Sequence, residues 1–127
     1  MTPPPRPTPA ELEILRLLWE HGPSTVREVQ ERMEQQRPTG YTTVLKLLQI
    51  MTDKELVRRD ESARAHVYAA GAPEDETQRQ LVLDLLDRAF GGSATKLVMH
   101  ALSARKTSRA ELARIREMLD RLEGGRG

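Results

Sequence analysis

The sequence predicts a mainly α fold, a winged helix-turn-helix followed by a helical dimerisation domain, and three observations predict it. Thr8, Thr25 and Ser108 are each followed three residues later by glutamate, at Glu11, Glu28 and Glu111. That spacing lets side chain and backbone cap each other, and each box precedes an apolar pattern of helical period. Strand-like sequence is confined to one stretch, residues 56–69, so any sheet is a single ribbon. After Gly71-Ala72-Pro73 the chain turns leucine-rich at helical spacing. The expected organisation is a proline-rich tail over 1–7, a winged-helix domain over 8–72 and a three-helix domain over 73–123.

Each element has its own signal. The tail MTPPPRPTP contains a PxxP at Pro4-Pro5-Arg6-Pro7, yet proline at this density disfavours packed structure in any case. Thr8 caps a first helix that runs to about His21 and stops at Gly22-Pro23. Leu12, Leu15, Leu18 and Trp19 share one side of it, with Ile14 flanking and Trp19 as the core anchor. The second box opens a short helix to Glu34. Val26, Val29 and Met33 point inward; Arg27, Glu31 and Arg32 point outward. Gln35 to Pro38 form a turn, and Thr39 is placed to cap a third helix from about Gly40 to Lys54.

The third helix carries the functional signal. Val44, Leu47, Leu48 and Met51 make its buried side, while Thr42, Thr43, Lys46 and Gln49 line the other. Hydroxyl, amide and ammonium groups are what a helix needs to reach phosphates and base edges in a major groove. The ribbon follows as Leu56 to Asp60, a turn over Glu61 to Ala65, and His66 to Ala69, bearing Arg58, Arg59, Arg64 and His66. Arg37 sits beside the start of the third helix. Two capped helices with a tight turn, then a basic hairpin, fit the winged form of the helix-turn-helix.

The C-terminal third reads as three helices. Glu74 to Phe90 is one, with Leu81, Leu85 and Ala89 in one row and Val82, Leu86 and Phe90 in the next. Gly91-Gly92 stops it, and Ser93 caps a short helix containing Leu97, Val98, Ala101 and Leu102. The third box opens a last helix carrying Leu112, Ile115, Leu119 and Leu122, with Glu117 and Arg121 as an outer i,i+4 pair. A core shared by so few residues is marginal alone. The expectation is therefore a homodimer held by Leu81, Leu85, Leu86, Phe90, Leu97, Leu112, Ile115 and Leu119. The alternative is that these helices pack back on the N-terminal domain.

Composition narrows the function classes. Formal net charge is only +1, from 20 basic and 19 acidic residues, so positive charge for a polyanion must be local. Residues 37–66 supply it: Arg37, Lys46, Lys54, Arg58, Arg59 and Arg64 face only four acidic side chains, Asp53, Glu55, Asp60 and Glu61. With no cysteine there is no disulfide, thiol chemistry or thiolate metal site. No run approaches the roughly 20 apolar residues of a membrane span, and the N-terminus lacks an apolar signal core, so the expected compartment is the cytoplasm. His21, His66 and His100 lie in no ligand motif, and Gly91-Gly92-Ser93 is no nucleophile elbow, since Thr95 stands where the second glycine belongs. No catalytic residue, metal site or cofactor is expected.

With these pieces in hand the sequence resembles the penicillinase-repressor (BlaI/MecI) family of transcriptional regulators. The matching segments are ELEILRLLWEHGPSTVREV, YTTVLKLLQIMTDKELV and RAHVYA, with a weaker match in FGGSATKLVMHAL and SRAELARIREML, so the resemblance covers residues 8 to about 122. It implies a dimeric repressor on inverted-repeat operators of β-lactam-resistance or other stress-response genes. It further implies release through a regulatory sensor and protease system. A copper-responsive branch of the family uses C-terminal cysteines, which this chain lacks. Two departures stand out. Glu55 replaces a usual glycine or asparagine after the recognition helix, and Ile50 a commonly basic residue. The competing reading is a winged-helix protein-interaction adaptor dimerised through its C-terminal helices.

Overall fold

The computed structural model describes residues 6–124; residues 1–5 of the expected tail lie outside the described residues. Among the described residues nine elements follow in order: α1 (Pro9–His21), β1 (Ser24–Thr25), α2 (Val26–Glu34), α3 (Tyr41–Asp53), β2 (Val57–Asp60), β3 (Val67–Ala70), α4 (Glu74–Phe90), α5 (Ala94–Ala104) and α6 (Arg109–Gly124). The chain divides into two compact units, one ending at Val82 and the other starting at Leu83.

Both N-terminal capping boxes close reciprocally. Thr8 Oγ1 accepts the Glu11 N–H at 3.3 Å while Glu11 Oε1 accepts the Thr8 N–H at 2.9 Å. The Thr25 and Glu28 pair repeats this at 3.2 and 2.9 Å. The helices so started bury one stripe each: Ile14, Leu15, Leu17 and Leu18 from α1, Val26, Val29 and Met33 from α2, and Val44, Leu48 and Met51 from α3. Val57 and Tyr68 complete the core, and Trp19 and Leu47 flank it half-buried. Trp19 therefore acts at the core's edge, where its indole N–H donates to the Ala72 carbonyl at 3.0 Å and ties α1 to the chain entering α4.

The sheet has three strands in the order β1-β3-β2, all antiparallel, rather than the expected two. Ser24 pairs with Tyr68 and Thr25 with Val67. The extra strand arises because an N-cap residue has extended dihedrals. Thr25, at φ −79° and ψ 167°, is cap and strand at once.

Thr39 does not cap α3. Gly40 occupies the N-cap and offers no side chain, while the Thr39 hydroxyl donates to the Arg37 carbonyl at 3.0 Å. The α2–α3 turn is fixed differently. Gln30 Nε2 donates to the Thr39 carbonyl at 2.9 Å, and Glu34 Oε2 accepts the Thr39 N–H at 2.8 Å.

At its other end α3 closes in a left-handed cap. The Leu56 N–H donates to the Met51 carbonyl at 2.8 Å and the Glu55 N–H to Thr52 at 3.0 Å. That pairing places the residue after the C-cap in the left-handed region, and Glu55 takes it at φ 64°. Gly71 lies against this turn, where an added Cβ would stand 2.6 Å from the Glu55 carbonyl oxygen. A non-glycine residue at positive φ is strained. Glu55→Gly is therefore expected to raise stability by about 1 kcal/mol, seen as a higher urea midpoint at unchanged m. A midpoint that stays put or falls would contradict strain at this turn.

The first unit takes in the start of α4, where Thr77 is buried. In the C-terminal helices Ser93 Oγ accepts the Lys96 N–H at 3.2 Å, as its cap role requires. Ser108 Oγ accepts the Glu111 N–H at 3.1 Å, but the return bond of a capping box is absent among the described residues. Among the described residues Asp84 and Arg88 form an i,i+4 ion pair at 2.8 Å, and none joins Glu117 and Arg121. Phe90 and His100 tilt together with ring centroids 5.7 Å apart. Within α5 and α6 no residue is buried, and in α4 only Thr77 is.

Candidate nucleic-acid interface

The α3 helix divides cleanly because its apolar residues fall at i, i+4 and i+7. Val44, Leu48 and Met51 face the core with no exposure, and Thr42, Thr43, Lys46 and Gln49 stand exposed on the opposite side. From Tyr41 to Thr52 the helix contains no acidic residue. An anionic ligand thus meets no carboxylate along this face until Asp53, at the helix's last position.

The sequence-predicted cations separate into two kinds. Arg37 is paired with Glu13 at 2.8 Å, and Arg59 lies 3.7 Å from Glu61. Lys46, Arg58 and Arg64 have no acidic partner among the described residues. Lys54 belongs to the scaffold: its Nζ lies 2.9 and 3.1 Å from the two oxygens of buried Glu11. Burial pushes the Glu11 carboxyl up, but the Thr8 N–H and the Lys54 ammonium outweigh it and hold the group below its usual range. That pair fixes the end of α3 to the start of α1.

The ribbon does not present Arg58 and Arg59 together. Successive strand residues point to opposite faces. Arg59 shares its face with buried Val57 and, across the register, with buried Tyr68. Arg58 lies on the other side and lines a separate groove with Glu55, Val57 and Gly71. At the turn, Asp60 is held low by hydrogen bonds from Ser62, whose N–H donates to Asp60 Oδ1 at 2.9 Å.

Arg64 is brought toward the helices. It lines a groove of about 390 Å³ together with His66, with Thr25 and Arg27 at the start of α2, and with Tyr41 and Leu45 of α3. Arg27 and Tyr41 were not among the sequence-predicted contacts. The available signal was Arg27's place two residues past the Thr25 cap, outward on the helix that precedes α3.

A three-helix core with a short strand and a hairpin wing, presenting an acid-free helix face beside unpaired cations, defines a winged helix-turn-helix of the DNA-binding class. The family described as "Penicillinase repressor" matches residues 7–121. The chain is 34% identical over 119 residues to the "Transcriptional regulator BlaI" of Mycobacterium tuberculosis, covering 92% of this chain and 85% of that one. It is 19% identical over 111 residues to a "Penicillinase repressor" of Staphylococcus aureus, covering 87% and 88%. Among solved structures, the DNA-binding domain of the repressor BlaI aligns at TM-score 0.52 and 22% identity, over 60% of this chain and 93% of that one. YusO of Bacillus subtilis aligns at TM-score 0.50 and 22% identity, over 93% and 75%. The chain belongs to the penicillinase repressor family. No helix among the described residues is long and apolar enough to cross a membrane.

Proposed function

We propose that the protein is a homodimeric transcriptional repressor that binds inverted-repeat operator DNA. Family membership supports the coarser part, a DNA-binding repressor and not an enzyme. The observation that carries the finer part is the exposed, acid-free face of α3 bearing Thr42, Thr43, Lys46 and Gln49. These residues enter the major groove, with Arg64 and one of the oppositely facing Arg58 and Arg59 of the wing, and Arg37, on the backbone. To reach a phosphate, Arg37 gives up its exposed pair with Glu13. Such a surface pair is worth about 1 kcal/mol or less, so the exchange is cheap. The two copies meet through Leu81, Leu85, Leu86, Phe90, Leu97, Leu112, Ile115 and Leu119, so two recognition helices reach two half-sites. The targets are β-lactam-resistance or other stress-response genes, and release involves a sensor and protease partner.

Genome-wide recovery of fragments bound by the full-length protein tests this, and an inverted repeat in the recovered set is expected. An interaction adaptor would select no fragment. On the recovered duplex Lys46→Ala is expected to weaken binding by about 1–3 kcal/mol if Lys46 reads a base. If it touches only phosphate, the loss is equal on a scrambled duplex and the salt slope falls by about 1. Titrations of both duplexes at two salt concentrations separate the two roles. Unchanged binding to both duplexes removes Lys46 from the interface.

A further inference from the structure

We infer that Ile50 is a specificity-determining residue of the interface, its side chain packing on the 5-methyl group of a thymine in the major groove. The inference rests on the DNA-binding reading above and deepens it, naming a base for a residue that reading leaves unused.

The packing of α3 leaves Ile50 outside the core. Val44, Leu48 and Met51 are fully buried, and Leu45 and Leu47 pack half-buried against the same cluster. Ile50 belongs to neither set and is 38% exposed. Its backbone is in use, since its carbonyl accepts the Lys54 N–H at 3.0 Å. Viewed down an α-helix, successive residues turn by about 100°. Ile50 therefore stands about 20° from Thr43, about 40° from Lys46 and about 160° from Leu48. It lies between a hydroxyl and an ammonium group on the exposed, acid-free face.

A water-facing position gains little from isoleucine. Its branched β-carbon makes it a poorer helix former than lysine or glutamine, and it offers no hydrogen bond. The side chain contributes only where water is removed from it. A ligand that hydrogen-bonds Thr43 and Lys46 and also covers Ile50 must carry an apolar group among polar ones. The major groove supplies one: thymine presents a methyl there, while the other bases present donors and acceptors. A phosphate has no apolar atom, so backbone contact can account for Lys46 but not for Ile50. Thr43 carries a methyl as well, and the experiment separates the two side chains.

The test uses full-length protein and the recovered inverted repeat, with each thymine of the half-site exchanged in turn, symmetrically, for deoxyuridine. The exchange removes the methyl and leaves the O4 acceptor and the base pairing in place. In wild type one such exchange is expected to weaken binding by about fourfold per half-site, the effect of losing one buried methyl. Ile50→Ala should bind that duplex and its parent alike. Ile50→Gln, a better helix former, should do the same with α3 undisturbed. Ile50→Val, still branched and apolar, should keep the sensitivity. Anisotropy titrations read each pair of duplexes. Wild type indifferent to every exchange, a half-site without thymine, or an Ile50→Ala or Ile50→Gln protein as sensitive as wild type overturns the contact. A preference for the inverted repeat over a scrambled duplex then leaves the DNA reading intact. Wild type that prefers neither duplex overturns that reading, and the contact with it.

Discussion

Leu85→Asp combined with Leu119→Asp is expected to convert the protein to a monomer of 14.4 kDa and to weaken operator binding by about 10²–10⁴-fold. In the single chain Leu85 is 49% exposed and Leu119 52%, and Val82, Leu83, Val98, Met99, Met118 and Leu122 are exposed as well. Large exposed apolar side chains in this number are what a partner surface would cover. A carboxylate placed at two such positions disturbs a lone chain little, because exposed substitutions usually change stability by about 0.5 kcal/mol or less. In a dimer the same carboxylates must be desolvated without a partner, which costs several kcal/mol each. The affinity loss follows from geometry. In the proposed dimer, one bound recognition helix would place its twin at high effective concentration beside the second half-site, and separation would remove that gain. Sedimentation equilibrium and anisotropy on one preparation read both quantities. A double variant that keeps twice the chain mass, or a monomer with wild-type affinity, would sink this account of the C-terminal helices.

What the sequence disclosed and what it hid divide by distance along the chain. Capping is local chemistry, so Thr8 with Glu11 and Thr25 with Glu28 were legible, and helix ends at His21 and Phe90 followed from the glycines after them. The end of α3 was open in the sequence, because Glu55 stands where the resemblance implies glycine or asparagine; the structure keeps a left-handed residue there, at φ 64°. Strand β1 was hidden because two residues show no period and Thr25 already had a reason to be there. Thr39 misled because cap chemistry fits it, while Gln30 and Glu34 claim its backbone instead.

The candidate interface shows the same limit. The exposed row on α3 could be read from i, i+4 spacing alone. Which cations are neutralised could not. Arg37 meets Glu13 across 24 positions and Lys54 meets Glu11 across 43, and no short window of sequence carries that information. The opposite faces taken by Arg58 and Arg59 follow from strand alternation, but only once the register with Tyr68 and Ala69 is known.

The second large effect concerns the carboxylate that holds α3 in place. Glu11→Ala is expected to destabilise the N-terminal unit by about 3 kcal/mol. The side chain is 2% exposed, accepts the Thr8 N–H and binds Lys54 through both oxygens. Its removal opens the capping box and leaves the Lys54 ammonium, 30% exposed, facing a void. Partial exposure of Lys54 sets the figure at the low end of the range for broken buried pairs. Glu11→Gln keeps an acceptor for Thr8 but loses the charge, so a smaller loss of about 1–2 kcal/mol is expected. The sign of the pH dependence follows from the lowered pKa of Glu11. A depressed folded pKa gives stability that is complete above the unfolded value, near 4.5, and is lost as pH falls through the folded one. Glu28 and Asp60 are also lowered and share that acid window, so the difference between wild type and Glu11→Gln isolates the buried group. Urea midpoints from neutral pH downward should converge for the two proteins as Glu11 protonates. Parallel curves, or a Glu11→Ala protein as stable as wild type, would mean that the Lys54 contact does not secure α3. Convergence would show that α3 is held by a charge buried at its far end, remote from the exposed face it presents.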